Sequence, residues 1–164
     1  MKKIILAILL ALPMTMFAQQ KIGHVNIETV AQGMPEYAAL QTELQNLQKQ
    51  FQDEMQRKQT DFQTKAEAYE KEKEGLSETL RSYREKELQT AYEEIQKFNE
   101  TSSQELQRLS NTKQNEIMDK ILKAIEEVGA AGSYSYILPV SGIAYTGAGA
   151  NDITDQVKAK VGSK

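Results

Sequence analysis

The chain has 164 residues, of which 26% are charged, with 23 acids against 20 bases and a formal net charge of −3. It carries no cysteine and one histidine, which excludes disulfide staples, thiolate metal sites and a multi-histidine metal site within one chain. The charge balance offers no basic excess for phosphate contacts, so nucleic acid is not an expected partner.

Met1 to Lys3 is a basic start, Ile4 to Leu12 an apolar run, and Pro13 to Ala18 leads to a cut before Gln19. This is the layout of a secretory signal peptide over residues 1–18. The alternative, a membrane anchor, needs about 20 apolar residues, and this run is well short. Removing it takes away Lys2 and Lys3 and no acid, leaving 18 bases, 23 acids and a net charge of −5. The lack of cysteine fits an export compartment and leaves no residue for lipid attachment after the apolar run.

Lys21 to Val30 alternates around Val25 and Ile27 with β-branched residues, and reads as a strand with Gly23, Val25 and Ile27 on one face. Gly33 to Glu36 breaks it. Pro35 suits the first helical position, where a missing N–H costs nothing, and Glu36 favours the positive end of a helix.

Residues 36–128 then read as one long helical hairpin. Outbound, apolar residues fall at Leu40, Leu44, Leu47, Phe51, Met55, Phe62, Ala66 and Tyr69, mostly three and four apart, which makes one stripe on a helix. Gly75 marks a turn near 74–77, and Ser77 caps a second helix. The return stripe runs through Leu80, Tyr83, Leu88, Tyr92 and Ile95, crosses polar Asn99 and Ser102, and resumes from Leu106 to Val128. Spacing near seven per two steps favours gentle supercoiling, and it fits dimers and tetramers equally. Lys58, Asn99 and Lys113 interrupt the stripe, so a fully zipped coiled coil is not expected. Each arm of roughly 40–50 residues reaches about 60–75 Å at 1.5 Å per residue.

Gly129 to Gly132 ends the second helix. Tyr134–Val140 and Ile143–Tyr145 read as short strands, 146–151 as a small-residue loop, and Asp152–Val161 as a closing helix or strand. The flanks, 19–35 and 129–164, make a discontinuous β-rich body of roughly 50 residues, which supplies few kcal/mol alone and is better explained if several chains share one core. The fold class expected is α+β, mostly α.

Little chemistry is visible. His24 has no nucleophile or acid pairing signature nearby. Gly147-Ala-Gly149 lacks the Gly-Lys-Ser/Thr of a phosphate loop, and Glu70 to Glu74 alternates with lysine as a solvated helix tip. No catalytic, cofactor-binding or metal residue is expected, nor an enzyme. The aromatics Phe51, Phe62, Tyr69, Tyr83 and Tyr92 read two ways, as helix–helix packing or as residues that touch an unfolded client.

Several segments carry a resemblance in order: Lys21-Ile-Gly-His-Val-Asn-Ile27, Met34-Pro-Glu36, Ser77-Glu-Thr-Leu-Arg81, Lys86-Glu-Leu-Gln89 and Gln104-Glu-Leu-Gln107. Ile121 to Val128, Tyr134-Ser-Tyr-Ile-Leu138, Ala144-Tyr145 and Asp152-Ile-Thr154 follow. Together they resemble the Skp/OmpH family of periplasmic chaperones across the whole exported chain. His24 and Asn26 stand where that family usually has Tyr and Asp, Pro139 interrupts the segment after Leu138, and the net charge is acidic.

The resemblance implies a periplasmic homotrimer with a β-rich body and three helical hairpins. Such a protein holds unfolded outer-membrane proteins between its arms without ATP, and makes no stable membrane insertion once the leader is cut. On that reading Val25, Ile27, Ile137, Leu138, Ile143 and Tyr145 assemble the body between copies. Phe51, Met55, Phe62, Tyr69, Tyr83 and Tyr92 meet the client, the softer ones among them repacking around different partners. The rival reading is a structural coiled-coil spacer or scaffold of the cell envelope. A spacer wants a continuous stripe and gains little from doubling back at Gly75.

Overall fold

The computed structural model describes residues 20–162, so the leader expected over 1–18 lies outside the described residues. In chain order come strand β1 (Ile22–Val25), helix α1 (Ile27–Gly33), helix α2 (Pro35–Glu72) and helix α3 (Glu78–Ala131). Strand β2 (Tyr136–Pro139), a single 3-10 turn (Val140–Gly142), strand β3 (Asn151–Asp152) and helix α4 (Thr154–Val161) follow. The fold is α+β and mostly α: a long antiparallel hairpin on a small sheet.

The first strand is shorter than the alternating pattern predicts. Val25 ends it, because the Asn26 side chain accepts a hydrogen bond from the Thr29 N–H at 3.0 Å and so caps a helix over Ile27–Gly33. A short polar side chain that satisfies an orphan N–H outweighs the β preference of Ile27, Thr29 and Val30, whose helical cost is a few tenths of a kcal/mol each. Ile27 therefore packs from a helix, not from the strand face shared by Gly23 and Val25. Pro35 opens α2 as its spacing predicts, and Ser77 caps α3 by accepting from the Leu80 N–H at 3.4 Å.

The sheet is wholly parallel, in the order β2-β1-β3. Ile22 pairs with Tyr136, Gly23 with Ile137, His24 with Leu138 and Val25 with Pro139. Proline lacks an N–H for the ladder and is tolerated here because β2 is an edge strand. The strand expected over Ile143–Tyr145 is absent: after the Val140–Gly142 turn that stretch is irregular, and the third strand is Asn151–Asp152 instead. Neither residue is a strand former. Their pairing rests on tertiary bonds, Asn151 Nδ2 to the Ile22 carbonyl at 3.1 Å and the Ile153 N–H to the His24 carbonyl at 2.9 Å.

The buried apolar side chains among the described residues are Val25, Val30, Met34, Leu40, Ile117, Ile121, Ala124, Val128, Ile153 and Val157. All belong to the body or to the root of the arms. Gly23 lets Tyr134 pack close, since a Cβ on it would stand 3.0 Å from that ring, which also carries Lys21 Nζ at 4.0 Å from its centroid. Outward from Leu40 and Ile117 no large apolar side chain among the described residues is fully buried, because two helices side by side cannot enclose one. At 1.5 Å per residue, α2 extends about 57 Å and α3 about 81 Å.

Candidate functional site

No group of three or more His, Cys, Asp or Glu side chains that could hold a metal is found among the described residues. His24 does meet an acid: its Nε2 lies 3.7 Å from Asp152 Oδ2. Asp152 Oδ1 accepts from the Thr154 N–H at 2.8 Å and from its hydroxyl at 2.5 Å, while that hydroxyl accepts from the Asn26 N–H at 3.0 Å. The Thr154 hydroxyl proton thus goes to the carboxylate, not to the imidazole. The cluster ties β1, β3 and the start of α4 together.

The Thr154 hydroxyl, the Thr154 backbone N–H and then nearby His24 hold the Asp152 carboxyl below the usual carboxylate range. A lowered folded-state pKa means stability that is present above the ordinary carboxylate range and lost as pH falls below it. The free energy of local opening at Thr154 and Val157, read from amide exchange after dividing out the intrinsic pH dependence of the exchange chemistry, is therefore expected to fall on acidification through and below that range. The effect should be small, because Asp152 is largely exposed, and absent from an Asp152→Asn variant. Equal acid responses in the two proteins would contradict it.

The sheet has two unlike faces. Val25, 1% exposed, points with Gly23 and Ile137 into the chain's own helices. The other face carries Ile22, His24, Tyr136 and Leu138, whose pairing register sets them side by side. Leu138 is 43% exposed and Tyr145, on the irregular segment, 84%. A depression of about 730 Å³ opens between this face and the 143–151 segment, with Ile143 half-buried in its wall. Of the six body residues singled out from sequence, Val25, Ile27 and Ile137 serve the internal core, and Leu138, Ile143 and Tyr145 border the depression. Ile22, Tyr136 and Val140 share that apolar exposure and were missed. The parallel alternation of β1 and β2 is the signal that reveals the first two.

Along the arms, packing and exposure alternate. Phe51 meets Phe98 edge-on at 5.9 Å between centroids, and Phe62 lies 6.3 Å from Tyr92 at a tilt. Half-buried Tyr69 donates its hydroxyl to Glu85 at 2.5 Å, which raises its pKa. Met55 is half-buried, Tyr92 keeps half its surface open, and Tyr83 is 65% exposed. Phe51 and Phe62 thus hold the hairpin together, while Tyr83 and Tyr92 present surface.

Phe98 was missed because the return stripe was followed through Asn99. The step from Ile95 to Phe98 to Ser102, three and then four, is the register the helices use. Met118 and Leu122 also stand exposed near the root, beside the buried Ile117 and Ile121.

Ion pairs fill the gaps between helices: Lys120–Glu36 at 2.6 Å, Lys65–Glu87 at 3.0 Å and Lys58–Glu94 at 3.4 Å. Hydrogen bonds from Lys65 and then Arg84 lower the pKa of Glu87. Such exposed pairs are worth little individually. They keep the arm surfaces wet and the helices loosely zipped. No helix among the described residues is long and apolar enough to cross a membrane.

Comparison with known proteins agrees with this architecture. No curated protein matches the chain. A crystal structure of a candidate outer membrane chaperone (OmpH-like) from Caulobacter crescentus CB15 superposes with a TM-score of 0.77 at 17% identity, covering 88% of this chain and 85% of that one. The family model described as outer membrane protein (OmpH-like) matches residues 21–161, from the first strand to the last helix. By that match over nearly its whole length, the chain belongs to the OmpH-like outer membrane protein family.

Proposed function

We propose that this protein is an ATP-independent holdase chaperone, acting in the periplasm on unfolded outer-membrane β-barrel proteins. Copies of the chain join through their bodies into a homotrimer, and the arms enclose the client. One observation carries the reading: arms tens of ångströms long bury no large apolar side chain beyond their roots, yet present Leu80, Tyr83 and Tyr92 to solvent. Surface of that kind makes many weak, sequence-tolerant contacts. Binding an unfolded client lowers its free concentration and so slows its aggregation.

The bare side of the sheet supports assembly. Parallel sheets are ordinarily covered on both faces, and here one face keeps Ile22, Tyr136 and Leu138 open. The likeness in fold to an OmpH-like chaperone candidate supports the same reading.

The test is dilution of a urea-denatured outer-membrane β-barrel protein into ATP-free buffer with and without the chaperone. Suppression of light scattering near one trimer per client is the expected result. No suppression at several-fold excess, by a folded and oligomeric protein, would leave a coiled-coil spacer of the envelope as the better account.

A further inference from the structure

Midway along the arm, beside the Phe51–Phe98 contact, the apolar packing between the helices leaves a gap. Ser102 is too short to span from α3 to α2, and a notch of about 490 Å³ remains between the helices, within the range of roughly 300–1,000 Å³ common for ligand pockets. Phe51, Met55, Phe98 and Leu106 line it with apolar surface. Around them stand carboxamides, those of Gln48, Gln52, Gln56, Gln59 and Asn99. Ser102 itself is only 8% exposed, and its hydroxyl is a buried side-chain polar group with no hydrogen-bond partner.

Electrostatically the notch differs from its neighbours. No charged residue lines it. The cleft nearer the root is lined by Glu36, Glu43, Lys113, Glu116 and Lys120, and the one nearer the tip includes Lys65, Lys86, Glu87 and Glu94. Lys58, close to Phe98, is turned to Glu94 at 3.4 Å. In a chain that is 26% charged, a lining without a charged side chain and with a buried, unpartnered hydroxyl selects for uncharged partners.

We propose that this notch is a discrete binding site for an uncharged, extended segment of an unfolded protein chain, an inference that rests on the holdase reading. One apolar side chain of the segment packs onto the apolar floor offered by Phe51, Met55, Phe98 and Leu106. An extended backbone presents N–H and C=O groups in alternation, and each carboxamide both donates and accepts, so the glutamines match it whatever its side chains. Segments that alternate apolar with uncharged polar residues, as membrane β-strands do, satisfy both demands. A carboxylate at the centre would shed water and could be met only by Lys58, at the cost of its pairing with Glu94.

The probe is a fluorescein-labelled peptide alternating threonine and phenylalanine, titrated with the full exported chain and read by fluorescence anisotropy. A second peptide carries glutamate at its central phenylalanine. The wild-type chain is expected to prefer the first by about tenfold or more. Ser102→Leu places a bulky apolar side chain at the floor of the notch and bridges the helices there, so its thermal midpoint should rise while affinity for the uncharged peptide falls about tenfold. Ser102→Ala keeps the space and should lose far less.

Should Ser102→Leu fail to fold, Gln52→Glu places a carboxylate on the exposed rim without touching the packing, and the same loss is expected. Wild-type affinity in Ser102→Leu, or in Gln52→Glu where the former does not fold, overturns the notch. The holdase reading then stands or falls separately, on wild-type suppression of β-barrel aggregation. A wild-type chain that binds no peptide and suppresses no aggregation overturns both.

Discussion

Replacing Val25 with aspartate is expected to unfold the body, not merely to separate copies of the chain. Val25 is 1% exposed at the centre of the sheet and belongs to a core that includes Val30, Ile121, Ile153 and Val157. No basic side chain is among those buried residues, so the new carboxylate would be buried and unpaired. That costs about 3–5 kcal/mol, to which the lost burial of valine adds about 1.5 kcal/mol. A body of this size has little more than that to lose. Urea unfolding followed by circular dichroism should show the cooperative transition gone, and light scattering should show a lowered mass with it. A variant that keeps the wild-type urea midpoint would place Val25 outside the core.

Leu138→Asp is expected to separate the two effects. Leu138 lies on the open face of β2, 43% exposed, so an aspartate there meets water within a single chain and the helices should survive. In the proposed trimer it would bury a charge against Ile22, Tyr136 and Tyr145 of neighbouring copies, at a cost of several kcal/mol per buried ion. Assembly at micromolar concentration is worth about 8 kcal/mol, so the concentration needed for assembly rises by orders of magnitude. Light scattering should then read one chain in a sample whose helical signal is intact. An unchanged oligomer mass would sink the assignment of this face to self-association.

The hairpin was legible because its evidence is long and redundant. Leu40, Leu44 and Phe51 repeat one face of a helix, and Pro35 and Ser77 mark the beginnings of its two helices with their own chemistry. What failed was short and decided by distant partners. The run from Ile27 to Val30 has the composition of a strand, yet one Asn26 side chain makes it a helix. Asn151 and Asp152 have strand geometry only because β1 lies beside them, and no local propensity encodes that. The arm register slipped by one residue, at Asn99 for Phe98, since a stripe broken by polar residues admits two readings until the partner helix is seen. On the open sheet face Leu138 was singled out but Ile22 and Tyr136 were not, for a related reason: exposure is a property of how β1 and β2 stack, not of either segment alone.

The central position of β1 also governs the order in which the molecule can form. Its partners are far along the chain: Lys21 reaches Gly132 across 111 residues, and Asn151 reaches back to Ile22 across 129. During synthesis β1 therefore waits unpaired while both arms follow. Contacts within the hairpin close short loops near Gly75 and can form early, whereas the sheet must await the last residues. Until then the protein is itself a partly unfolded chain with an exposed apolar strand, in the same condition as the clients it is proposed to hold.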